Sequence, residues 1–160
     1  MLMFFARVFD SNKIVLFAIL ILVACVFVTG CSANAFRNLK VQVGASPIRV
    51  DGRNFQVFTV AALNTGEESI RLQFSSGMQF DFVVMSDDAE VWRWSYDKAF
   101  ITMLTERDID PDELVVYSVV WDGRDSEGRH VPPGEYRVFG EIVTKPKVTT
   151  DAVTFHWSGN

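Results

Sequence analysis

The sequence predicts an all-β fold, an antiparallel β-sandwich, once its N-terminal segment is set aside. Three observations carry that expectation. Hydrophobic residues alternate with period two through most of the chain after Leu39, clusters of turn-forming residues interrupt the alternation about every ten residues, and amphipathic helical spacing is almost absent. Both cysteines, Cys25 and Cys31, precede the strand region. The folded part therefore has no disulfide and rests on packing alone, without the cysteine spacing of antibody domains.

The chain has 160 residues and a formal net charge of −5, the size of one ordinary domain. Its beginning differs from the rest. "MLMFFARVFDSNK" supplies Arg7 and Lys13, and "IVLFAILILVACVFVTG", Ile14 to Gly30, has no charge. A basic start, an apolar run and a small residue before a cysteine describe an export signal, an N-terminal signal or lipid-anchor helix. A retained transmembrane helix is the alternative, but it needs about twenty apolar residues. "VTGCS", Val28 to Ser32, resembles the lipobox of bacterial lipoprotein signals, in which small residues admit the peptide to a signal peptidase and the cysteine becomes the lipidated N-terminus. That resemblance makes Cys31 the expected lipidation site. Cys25, ending a second match in "LVAC", is the other candidate, although its use would leave "VFVTG" in the mature chain.

The expected organisation is a signal peptide over residues 1–30, a tether over 31–38 and a sandwich domain over 39–160. Seven extended tether residues reach only about 25 Å, so the domain is expected close to its membrane. Membrane lipid, through acylated Cys31, is then one partner, and the cell envelope on the extracytoplasmic side is the expected location. The domain remains acidic without its leader, and no dense Lys/Arg run exists, which argues against nucleic acid as a partner. A domain of this size buries about two-thirds of its unfolded surface, enough for a core without staples.

Alternation begins at Leu39, Val41 and Val43. "FQVFTVAAL", Phe55 to Leu63, is apolar on both faces and reads as a buried strand; in "NTGEES", Asn64 and Gly66 suit left-handed turn positions. "IRLQF" sets Ile70, Leu72 and Phe74 against Arg71 and Gln73. "QFDFVV" places Phe80, Phe82 and Val84 on one face with Asp81 opposite, and "SDDAE" is a tight hairpin connection. "VWRWS" alternates Trp92 and Trp94 against Val91, Arg93 and Ser95. "SYDKAFITMLTERDIDPDEL" is ambiguous: Ser95 can cap a helix carrying Phe100, Met103 and Leu104, while "FITMLT" equally suits a strand, so at most one helical turn is expected. Pro111 and Asp112 form a turn before "ELVVYSVVW", whose Val115, Tyr117, Val119 and Trp121 share a face. "EYRVFGEIV" and "AVTFHW" complete eight or nine strands.

"WDGRDSEGRHVPPGEY", Trp121 to Tyr136, concentrates aromatics, glycines, prolines and charges between two strands. The glycines supply positive φ, Pro132 and Pro133 fix φ, and Asp122, Asp125 and Ser126 can bond nearby amides, so a structured connection explains every unusual residue. A calcium loop fails on spacing and lacks a closing carboxylate. His130 and His156 have no clustered partner, so no metal or other cofactor is expected. Without a free cysteine or a G-x-S-x-G elbow, and with the paired acids in turns, no catalytic residues emerge. Trp92 and Trp94 suit core packing; the alternative is an aromatic platform with Arg93 and Tyr96 beside it. The candidate partner-binding residues are Trp92, Arg93, Trp94, Arg124, Asp125, Arg129 and His130.

Three stretches, "NTGEESIRLQFSSGMQFDFVV", "EVWRWSYDKAFITMLTE" and "DPDELVVYSVVWDGRDSEGRHVPPGEY", resemble the BsuPI-related domain family, named after a bacterial intracellular proteinase inhibitor. The shared pattern is an asparagine-led turn, an S-G-x-x-F-D-F strand pair, V-W-x-W-S, and a P-G-E turn before a strand ending in tryptophan. Asp112 stands where that turn usually has glycine, and Met78 where a polar residue is common. The closing "WDGRD…VPPGEY" also resembles immunoglobulin-like modules of secreted bacterial proteins, such as the flagellar hook-capping protein. The resemblance implies an immunoglobulin-like sandwich without catalytic machinery. It suggests a proteinase inhibitor, whose target in a lipoprotein would be extracytoplasmic, with Gly123–Pro133 and Tyr96–Asp110 as candidate contact segments. The alternative is an envelope module that binds another envelope protein or has a structural role, without inhibiting.

Overall fold

In a computed structural model of the chain, residues 36–160 are described. The expected signal peptide over 1–30, the candidate lipidation sites Cys31 and Cys25, and tether residues 31–35 lie outside them. Asn38–Asn160 form one unit. It is built of ten strands: β1 Leu39–Val50, β2 Arg53–Asn64, β3 Ile70–Phe74, β4 Phe80–Ser86, β5 Ala89–Arg93, β6 Thr105–Ile109, β7 Leu114–Trp121, β8 Gly134–Ile142, β9 Val148–Thr149 and β10 Val153–Trp157. No residue among those described is helical.

Every strand pair is antiparallel. One sheet runs β1–β2–β7 and a second runs β10–β8–β4–β5 with β9 on β8, while β3 and β6 form a separate ribbon. The inner faces of the two larger sheets meet through aromatic rings. Phe58 of β2, fully buried, lies 5.9 Å from Trp121 of β7 and 5.2 Å from Phe155 of β10. Trp121 in turn lies 5.1 Å from Trp157 of β10 and 6.1 Å from Tyr136 of β8. Such tilted and edge-to-face pairs add to the burial of large apolar area, which suits a sandwich without disulfides.

Several elements depart from the sequence expectation in instructive ways. β2 is not buried on both faces: Gln56, Phe58, Val60, Ala62 and Asn64 are inside, while Phe55, Val57, Ala61 and Leu63 are partly exposed. Beside them on β7, Leu114, Val116 and Val120 are at least half exposed. Antiparallel sheets cover one face and leave the other to solvent, here with an apolar composition.

Asn64 does not take a left-handed turn conformation. It is a buried strand end whose Nδ2 donates to the carbonyls of Glu68 and Ile109 and whose Oδ1 accepts from the Gly66 amide. Gly66 likewise keeps negative φ; it is needed for space, since a Cβ there would lie 2.6 Å from Asn38 Nδ2. The left-handed position belongs to Asp112, at φ 59°, so aspartate occupies the conformation glycine adopts most readily.

The ambiguous region after Ser95 is neither helix nor strand until Thr105. A turn at residues 94–97 gives way to an irregular path, and β6 follows on "TERDI". That strand is masked in the sequence by Glu106 and Asp108 on its outer face, where both charges meet Arg71 of β3.

The core predicts a sharp contrast in substitution effects. Replacing Trp121 with Ala removes contacts to Phe58, Tyr136, Phe155 and Trp157 and should destabilise the fold by about 3–5 kcal/mol. Its neighbour Val120, 59% exposed, should tolerate Thr within about 0.5 kcal/mol. Urea unfolding followed by tryptophan fluorescence measures both values.

Candidate functional site

Three neighbouring features of the sandwich bear the residues singled out from the sequence. The first is β5 with the turn that follows it. Trp92 is half-buried and reaches inward, 6.2 Å from Phe58 and 6.3 Å from Trp121. Trp94 belongs to a second stack: its ring lies 4.4 Å from Phe80, which lies 4.6 Å from Tyr117 of β7. Lys98 Nζ sits 4.9 Å above the Trp94 ring, and Phe100 packs 5.9 Å from it. Both tryptophans thus serve largely to join layers, with part of each ring still reaching the surface.

Arg93 points to the other face and is occupied there. Asp81 of β4 and Glu141 of β8 are register partners and both are buried, a like-charge juxtaposition that would destabilise the sheet if left alone. Arg93 Nη1 lies 3.1 Å from Asp81 Oδ2 and 3.5 Å from Glu141 Oε2, while Nη2 lies 2.8 Å from Glu90. Lys147 Nζ approaches Glu141 at 2.8 Å. Asp81 also accepts from the amide and hydroxyl of Ser95 and from the amide of Phe82. The hydrogen bond to Glu90 raises the Arg93 pKa most; burial opposes this and Asp81 adds to it, leaving the guanidinium firmly charged. The sequence placed Asp81 opposite an apolar face, where a solvated position is the ordinary reading. The available signal was a second charge, Glu141, inside another apolar strand.

The second feature is the loop between β7 and β8. Its polar groups largely bond one another. Asp125 Oδ1 accepts from the amides of Glu127 and Arg129, and its Oδ2 accepts from Arg129 Nε. The Asp125 amide donates to the Arg129 carbonyl, and the Gly128 amide to the Asp125 carbonyl. Arg124 donates to Asp122 and to the Gly128 carbonyl, and it forms a β-bridge with exposed His130. The loop is fixed to the core at two points. Trp121 Nε1 donates to the Arg124 carbonyl at 2.7 Å, and Gly123, at φ 81°, lies so close to Trp157 that any Cβ would overlap the indole. At its far end the Tyr136 hydroxyl donates to the Pro132 carbonyl. A depression of about 490 Å³ between this loop and β5 is lined by Glu90, Val91, Asp125, Arg129, His130 and Tyr136.

The third feature is the connection from Tyr96 to Leu104. It leaves the sandwich at Trp94, whose amide donates to the Phe82 carbonyl, and returns at Thr105, paired with Phe74. Between these points the Gly77 amide donates to the Ile101 carbonyl. Four large apolar side chains nevertheless stand in solvent: Tyr96, Ile101, Met103 and Leu104, the last 71% exposed. Among the described residues, the backbone groups of Thr102, Met103 and Leu104 make no hydrogen bond to another protein backbone group. The three features are therefore unlike in chemistry: one is a buried ion network, one a charged loop bonded to itself, and one an apolar segment with unused backbone groups.

The charged loop predicts acid sensitivity. Burial alone would raise the Asp125 pKa; the Arg129 amide and guanidinium, with the Glu127 amide, outweigh it and hold the carboxyl below the usual carboxylate range. A depressed folded-state pKa means that this stabilisation is present above the unfolded value and is lost as pH falls through the folded value. Amide exchange of Glu127 and Arg129, corrected for intrinsic rates, should stay slow at neutral pH and accelerate as pH falls below about 4. Asp125→Ala should accelerate it at neutral pH by about ten-fold. Unchanged protection in the variant would contradict the role given to this carboxylate.

Comparison with known proteins gives one family. A family model described as BsuPI, intracellular proteinase inhibitor, matches residues 49–147, which span β2 to β8 and all three features. No curated protein sequence matches the chain. Among solved structures, the Northeast Structural Genomics Consortium target SoR45 is similar at 12% identity and a TM-score of 0.36, over 74% of this chain and 84% of that one. A β-glucosidase from Listeria innocua in complex with glucose is similar at 12% identity and a TM-score of 0.38, over 74% of this chain. The β-glucosidase EmGH1 from Erythrobacter marinus is similar at 16% identity and a TM-score of 0.36, over 72%. The chain spans 16% and 15% of the two glucosidases, and likenesses at these TM-scores carry no argument about activity.

Proposed function

This chain belongs to the BsuPI intracellular proteinase inhibitor family, and from that premise we propose that it is a non-catalytic proteinase inhibitor held at the cell envelope by a lipid on Cys31. The observation that carries the inhibitory reading is the Tyr96–Leu104 connection. It is an exposed segment of irregular backbone, held at both ends by a rigid sandwich. An inhibitor needs such an element: the segment enters a proteinase cleft in extended form, and its main-chain groups pair with the enzyme while side chains fill pockets. Fixing both ends beforehand reduces the entropy lost on binding.

The anchoring reading rests on residues 14–31, an uncharged apolar run closed by "VTGC". Two acyl signals are needed for stable membrane attachment, each buried CH2 contributing about 0.8 kcal/mol. The target is then an extracytoplasmic proteinase, a different compartment from that of the intracellular inhibitor for which the family is described.

Two measurements test these readings separately. The full-length protein, purified in detergent, should inhibit at least one serine proteinase with an end point near one inhibitor per enzyme. Absence of inhibition at tenfold excess across chymotrypsin, elastase and trypsin would count against an inhibitor and leave envelope binding as the function. In a bacterial host, Cys31→Ser should abolish incorporation of labelled palmitate while Cys25→Ser leaves it intact; the reverse pattern would move the anchor to Cys25.

A further inference from the structure

The inhibitory reading leaves open which element enters the enzyme and which enzymes accept it. Resting on that reading, we infer that Ile101–Leu104 is the enzyme-contacting segment, that Met103 and Leu104 fill the specificity pockets, and that the targets are proteinases whose primary pocket is large and apolar.

The choice between the two exposed connections follows from their hydrogen bonds. In the β7–β8 loop the amides of Asp125, Glu127, Gly128, Arg129 and Val131 are already used internally. That loop would have to break its own bonds before it could pair with an enzyme strand. Its basic side chains are also engaged, Arg124 by Asp122 and the Gly128 carbonyl, Arg129 by Asp125 and Glu127. In Ile101–Leu104, by contrast, only the Ile101 carbonyl is bonded among the described residues, and its partner, the Gly77 amide, braces the segment from behind. Thr102, Met103 and Leu104 keep their main-chain donors and acceptors for a partner.

The side chains point to the pocket. Ile101, Met103 and Leu104 are 67%, 51% and 71% exposed; Ile101 Cγ1 lies near Gly77, and at least half of each residue is open to a partner. Ile101 is branched at Cβ and stiff at χ1, a poor shape for a deep slot. Met103 and Leu104 are unbranched at Cβ and can enter one. A pocket lined by carboxylate, which selects basic side chains, finds no ligand here. The nearest lysine, Lys98, is paired with Asp97 at 2.7 Å and lies over the Trp94 ring. A small pocket would reject both side chains on volume. Phe100 packs toward Trp94 on one side, and Thr105 enters β6 on the other, so the segment keeps its shape when its tips are pulled into a cleft.

Titration of the full-length protein in detergent against chymotrypsin, elastase and trypsin distinguishes the outcomes. The expected result is inhibition of chymotrypsin well above the other two. The double variant Met103→Asp/Leu104→Asp should lose at least about 100-fold in affinity for chymotrypsin, the loss typical of central interface anchors. Because both side chains stand in solvent, the variant should unfold in urea at the wild-type midpoint, and Leu104→Arg should gain inhibition of trypsin. Arg124→Ala/Arg129→Ala should leave chymotrypsin inhibition within about threefold. If the wild type inhibits chymotrypsin and a folded Met103→Asp/Leu104→Asp variant inhibits it equally, the segment assignment is wrong while the inhibitory reading stands. Inhibition of trypsin or elastase alone overturns the pocket class. Inhibition of none of the three overturns the inference together with the reading beneath it.

Discussion

The indole of Trp121 is where the two sheets and the longest loop are joined. It ends β7, lies in van der Waals range of rings from β2, β8 and β10, and is 1% exposed. Its one polar group leaves the core to hold the Arg124 carbonyl. A buried indole N–H left without a partner would be costly, so the loop cannot drift without exposing that donor or stranding it. With both cysteines outside the strand region, this aromatic cluster does the joining that a disulfide does in antibody domains.

The same economy governs the charged residues. Arg93 neutralises Asp81 and Glu141, which face each other across β4 and β8, and Ser95 and Lys147 satisfy what remains. Breaking such a group leaves an uncompensated buried charge, so these residues stay where the fold needs them. Arg124, Asp125 and Arg129 likewise bond one another across the β7–β8 loop. Charge that is already paired offers little to a partner; the free capacity of the surface lies instead in apolar side chains and unbonded backbone near Leu104, and on the outer face of β2 and β7.

Much of the fold was legible because alternation and turn residues agree. β3 was expected at its observed bounds, and β7 was equally plain: Val115, Tyr117, Val119 and Trp121 share its inner face, the first and last buried and the middle two partly so. Where the pattern failed, a tertiary effect had overridden it. The alternation of β6 is hidden because its outer charges are placed for Arg71 and because Arg107, not an apolar residue, occupies an inner position. Ile101–Leu104 read as either a helical turn or a strand because its residues suit both patterns; it takes neither conformation and leaves Ile101, Met103 and Leu104 exposed. Asp81 was placed only as lying opposite an apolar face, because one strand does not reveal that its neighbour carries Glu141 opposite or that Arg93 bridges the two. Family membership was legible in three motif-bearing stretches, and Tyr96–Asp110 and Gly123–Pro133 were both legible as candidate contact segments; the sequence could not rank them, since exposure and unused hydrogen bonds exist only in three dimensions.

The most direct test of the account is hydrogen exchange on the full-length protein with and without chymotrypsin whose nucleophilic serine is replaced by alanine. If Ile101–Leu104 enters the enzyme cleft, new protection appears at Thr102–Leu104, with little change at Asp125–Arg129, whose amides are already bonded within the protein. Protection confined to the β7–β8 loop, or to β7 at the edge of the three-stranded sheet, would contradict it.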